Sequence, residues 1–80
     1  MGLIKGRVET IDGVPLGHVR VIGYPPANIT GGLVYATSDE NGRFFLSYHG
    51  EGPLEYVEVD GGERQNHVNS GADIVLVRKI

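Results

Sequence analysis

Ser38-Asp39-Glu40-Asn41-Gly42 runs directly into Arg43-Phe44-Phe45-Leu46, and this junction constrains the chain more than any other stretch. Asn-Gly supplies the positive φ angles that a two-residue hairpin turn demands. Bulky residues alternating after it mark a strand with one buried face. Asp12-Gly13 gives a second turn signal upstream. The 13 glycines fall between apolar segments rather than in a low-complexity block, so they read as turn punctuation. No stretch of ten or more residues carries a convincing helical period. An all-β domain is expected.

Seven short strands follow from the same reading. Leu3 to Thr10 alternates Ile4, Gly6 and Val8 against Lys5, Arg7 and Glu9, the pattern of a half-buried strand. Ile11 to Gly17 forms a turn and a short return. His18 to Tyr24 puts Val19 and Val21 on one face, and Pro25-Pro26 ends it, because proline cannot donate to a ladder. Leu33 to Ser38 and Arg43 to Tyr48 are the third and fourth strands, and Leu54 to Asp60 is the fifth. After Gly61-Gly62, the polar run Glu63 to Asn69 suits a sheet edge or a solvated face. Ala72 to Lys79 is apolar on both faces through Ile74, Val75, Leu76 and Val77. Either this strand is central or its outer face meets a partner, and Val75 and Val77 are the candidates for that outward surface. Strands at this spacing point to a β-sandwich.

Length and charge narrow the role. Eighty residues make one domain, residues 1–80. A chain of that size buries only about 60–65% of its unfolded surface, so a neighbouring domain or a second copy would supply useful extra burial. The absence of cysteine excludes disulfide staples and a thiolate metal site. Net charge is −3, with neither a basic patch nor an Arg/Lys stripe, so nucleic acid and anionic membrane are poor partners. No apolar run approaches the roughly 20 residues that span a bilayer. Met1 to Gly6 does not read as a signal peptide, and Gly at position 6 breaks the myristoylation pattern. The compartment stays open.

Gly6-Arg7-Val8, Asp12-Gly13-Val14-Pro15-Leu16, Val19-Arg20-Val21 and Thr37-Ser38-Asp39-Glu40-Asn41-Gly42-Arg43-Phe44 occur in that order. In order and spacing they resemble the carboxypeptidase regulatory-like domain of the transthyretin-like (prealbumin-like) superfamily, over about residues 4–48. The marking residues are Gly6, Val8, Asp12, Gly13, Pro15, Leu16, Asp39, Asn41, Gly42 and Phe44. The second half departs from the family pattern: Gly52-Pro53-Leu54-Glu55-Tyr56 is a loose echo of its Pro-x-Gly-x-Tyr turn, and Gly61-Gly62 lacks the following Tyr. The resemblance implies a seven-stranded, mostly antiparallel Greek-key β-sandwich without an active site. Such a domain is usually attached to another, and a secreted or cell-surface parent is allowed. Hydroxyisourate hydrolases of the same superfamily carry a Tyr-Arg-Gly-Ser tail, whereas this chain ends Leu76-Val77-Arg78-Lys79-Ile80, so that activity is not expected.

Each candidate for chemistry has a plainer reading. Asp39-x-Asn41-Gly42 is similar to the middle of a calcium loop, but the bidentate Glu position falls on Tyr48, and a turn is the better reading. His18, His49 and His67 lie far apart, and His49-x-Glu51 alone does not make a four-ligand site. Ser70 beside Gly71 lies in no nucleophile elbow. Asn28-Ile29-Thr30 fits the N-glycosylation pattern in a surface loop. Tyr24, Tyr35, Tyr48 and Tyr56 suit half-buried packing, and Tyr35 and Tyr48 are the candidates for a ligand platform. The expectation is a non-catalytic module with no cofactor that stabilises, spaces or orients a partner domain, or self-associates. The alternative is a ligand-binding module, for carbohydrate or for a small apolar molecule between subunits.

Overall fold

The computed structural model describes residues 2–26, 32–49 and 52–78. Seven strands are present: β1 (Gly2–Glu9), β2 (Arg20–Tyr24), β3 (Val34–Thr37), β4 (Arg43–Tyr48), β5 (Leu54–Val59), β6 (Arg64–Val68) and β7 (Asp73–Val77). They form two sheets, ordered β4-β1-β7 and β3-β2-β5-β6. The β1–β7 pair is parallel and the other four pairs are antiparallel. Alternation drives the layering. Ile4 and Val8 of β1, Phe44 and Leu46 of β4, and Leu76 of β7 bury against Val21, Val57 and Val59 of the other sheet. Gly6 lies between Phe44 and β7, where an added Cβ would sit 2.2 Å from the carbonyl oxygen of Ile74.

The Asp39–Gly42 turn differs from the hairpin expected of it. Asn41 does not have a positive φ; Gly42 alone does, at 77°. The Gly42 amide donates to the Asp39 carbonyl, and the Asp39 amide donates to the Arg43 carbonyl. This is a one-turn corner with a left-handed glycine at its end, a three-residue loop in place of a two-residue one. Asp39 Oδ1 accepts from the amides of Asn41 and Arg43, both at 2.9 Å. The strands that the corner joins then part, β3 to the four-stranded sheet and β4 to the three-stranded one. Thr10 to Val14 closes with the same two backbone bonds around Gly13. Pro15 returns beside Glu9, and Leu16 packs on the core.

Two histidines bend the chain. His18 has φ 60°, which breaks the extended run, so β2 starts at Arg20 rather than at His18. His67, at φ 51°, reverses the alternation within β6. Asn66 is exposed, yet Val68 two residues on is buried opposite Leu54, which is likewise buried. β7 is an edge strand, so the central position that its apolar sequence allowed is not the one it takes. Its two apolar faces divide instead between core (Ile74, Leu76) and exterior (Val75, Val77). Ala72 and Arg78 lie just outside the strand.

Candidate functional site

The outer face of the three-stranded sheet collects residues that the core does not use. Leu3, Lys5, Arg7 and Glu9 of β1 point outward, opposite in phase to Ile4, Gly6 and Val8. Arg43, Phe45 and Ser47 of β4 join them, as do Asp73 and Val75 of β7, with Val77 half-buried. Register places Lys5 between Phe45 and Asp73, Arg7 between Arg43 and Val75, and Glu9 beside Val77. Exposure is 44% at Leu3, 60% at Phe45 and 43% at Val75. Arg7 and Arg43 are directly opposed like charges, and Glu9, 3.6 Å from Arg7, offsets one of them. The result is a small apolar patch laced with cations. Leu3 and Phe45 complete the surface nominated from Val75 and Val77; their signal was their place in alternating strands whose other phase fills the core.

The four-stranded sheet presents aromatic rings. Tyr24 and Tyr56 are cross-strand partners whose rings stack with centroids 4.1 Å apart. The Arg64 guanidinium sits 4.2 Å from the Tyr56 centroid. β5 lies between β2 and β6, so Tyr24 and Arg64 flank Tyr56 from opposite sides. No face of the Tyr56 ring is free for a sugar. Glu58 accepts from the Tyr24 hydroxyl at 3.3 Å and lies 3.5 Å from Arg64. Partial burial raises the Tyr24 phenol above its ordinary range, and the Glu58 carboxylate adds to the rise. Tyr35, 57% exposed, stands alone with Arg20 5.5 Å from its centroid. Tyr48 does not join it on any platform. It is 4% exposed, and its hydroxyl donates to the Gly52 carbonyl at 2.7 Å. The inward phase of β4 makes it a core residue.

The remaining candidates are dispersed. His18, His49 and His67 are exposed, and no group of three or more His, Cys, Asp or Glu side chains that could hold a metal occurs among the described residues. Ser70 Oγ accepts the Leu3 amide at 3.2 Å. Asn28-Ile29-Thr30 and Glu51 lie outside the described residues. Asp12, Pro15, Asp39 and Asn41 are exposed turn residues, whereas Val8, Gly42 and Phe44 are buried. Comparison with models of protein families, with curated proteins and with solved structures returns no match to this chain.

Proposed function

We propose that the chain is a Greek-key, prealbumin-like sandwich of the carboxypeptidase regulatory-like kind. We propose further that it works as a non-catalytic module that docks on a neighbouring domain or a second copy. The observation that supports docking is the outer face of the three-stranded sheet. Leu3, Phe45 and Val75 expose large apolar side chains on one side of one layer. Covering about 300 Å² of such surface, at ~25 cal/mol per Å², contributes on the order of 7 kcal/mol before association costs. Lys5, Arg7 and Arg43 around that patch favour a partner surface with an acidic rim. The four-stranded sheet favours a ligand less, because its central ring is already covered on both sides.

Site-specific photo-crosslinking tests this reading. A benzophenone amino acid replaces Phe45, Val75 or, on the opposite sheet, Tyr35, in the chain expressed in its native cells. Positions 45 and 75 should give the same discrete adduct, with position 35 giving none. An adduct of twice the chain mass identifies the second copy. Labelling from position 35 as strong as from position 45, or no adduct at 45, rules the face out.

A further inference from the structure

A second surface, independent of the docking face, has the chemistry of a site. A cleft of about 380 Å³ opens where β2 begins, β3 ends, β5 turns into β6 and β7 runs out. Its lining is His18, Val19, Arg20, Thr37, Asp60 and Arg78. Three observations set it apart. First, it gathers two guanidinium groups against a single carboxylate, on a chain whose net charge is −3. Second, neither arginine is spent on an ion pair: among the described residues the pairs are Arg7–Glu9 and Arg64–Glu58. Arg20 lies over the Tyr35 ring instead. Arg78 passes so close to the turn that a Cβ added at Gly61 would sit 3.5 Å from its Nε. The side-chain hydrogen bonds among the described residues engage neither guanidinium. Third, His18 at the cleft wall is, among the described residues, one of two non-glycine residues in the left-handed region, a conformation that costs free energy and gathers at functional positions.

We infer that this cleft binds the phosphate group of a small hydroxylated phosphate ester, such as a sugar phosphate. Two planar forks of donors match the oxygens of an oxyanion, and the Thr37 hydroxyl and a His18 ring N–H extend that set. The lining nets positive, which favours an anion over a zwitterion that brings no net charge. Asp60 accepts hydrogen bonds and donates none when ionised, so it suits a hydroxyl on the body of the ligand rather than its phosphate.

Amide chemical-shift titration with four probes tests the assignment: ribose 5-phosphate, inorganic phosphate, ribose and succinate, at physiological salt. Ribose 5-phosphate should give saturable shifts confined to the amides around residues 18–20, 37, 60–61 and 78. Phosphate should bind more weakly at the same amides, and ribose alone should not bind. The double variant Arg20→Gln/Arg78→Gln should lose at least ~10-fold in affinity, the scale of one charge-assisted hydrogen bond. Arg64→Gln, whose guanidinium lies against Glu58 and the Tyr56 ring outside the cleft, should lose none. Asp60→Asn should tighten inorganic phosphate and narrow its gap from ribose 5-phosphate, a pattern that a merely structural Asp60 would not produce. Shifts that do not saturate, a loss in Arg64→Gln equal to that of the double variant, or succinate binding as tightly as ribose 5-phosphate each overturn the inference.

Discussion

Ser38 shows how much one side chain can organise. It is buried, its hydroxyl donates to the Leu16 carbonyl at 2.7 Å, and the same oxygen accepts the Val19 amide at 3.0 Å. Its own backbone exchanges bonds with His18 and Val19. Ser38 therefore fastens the segment entering β2 to the end of β3. Ser38→Ala leaves one buried donor and one acceptor without this partner, and a loss of about 1–3 kcal/mol in urea unfolding is expected. The sequence marks Ser38 only as the residue before a turn; a buried hydroxyl has no periodic signature. Gly42 is the opposite case, legible from its Asn-Gly setting. A Cβ there would lie 2.7 Å from the Val8 carbonyl oxygen as well as taking a positive φ, whereas one at Gly13, at φ 84°, meets nothing within 4 Å. Gly13→Ala should cost about 1–2 kcal/mol from the left-handed backbone alone. Gly42→Ala should cost clearly more, and equal losses in paired denaturation curves would contradict the packing at this corner.

At the scale of strands, all seven were legible to within one or two residues at most ends, because half-buried strands write their environment into alternation. Neighbours were not legible. Nothing local in Leu33 to Ser38 or Arg43 to Tyr48 says that consecutive strands joined by a tight turn enter different sheets. The apolar run at the end of the chain likewise does not distinguish a central strand from an edge strand with one exposed face. The flip at His67 was invisible as well: Val68 keeps the phase of solvent-facing Asn66 and yet enters the core. Cross-strand contacts carry one pH dependence. Tyr24 on β2 is held against Tyr56 and Glu58 on β5, and its phenol is raised. The folded state then retains a proton that the unfolded chain releases near pH 10, so this contribution to stability is present below that pH and declines as pH rises above it. Urea midpoints at about pH 9 and about pH 11 should fall further apart in the native chain than in Tyr24→Phe. Identical differences in the two proteins would remove Tyr24 as the source.

Across the whole molecule, the two-layer arrangement turns adjacent residues into opposites. Phe44 and Phe45 have the same chemistry and neighbouring positions, but Phe44 is 1% exposed and Phe45 60% exposed. The layer between them is one strand thick. Truncating Phe44 removes the largest fully buried side chain from a core shared by both sheets, and the gap cannot fill without moving β1, whose Gly6 the ring covers. Phe44→Ala should cost about 3–5 kcal/mol. In a chain this small, that is a large fraction of the total stability expected for a domain. Phe45→Ala removes a ring that the isolated domain leaves in water, and the expected loss is about 1 kcal/mol or less, mainly strand preference. If the outer face is a docking surface, the ranking inverts for association. Phe45→Ala should then abolish the cross-links formed from position 75, while its melting curve stays close to that of the native chain. Phe44 and Phe45 thus separate two quantities in adjacent positions, folding stability at the first and association through the outer face at the second, and the two measurements read them independently.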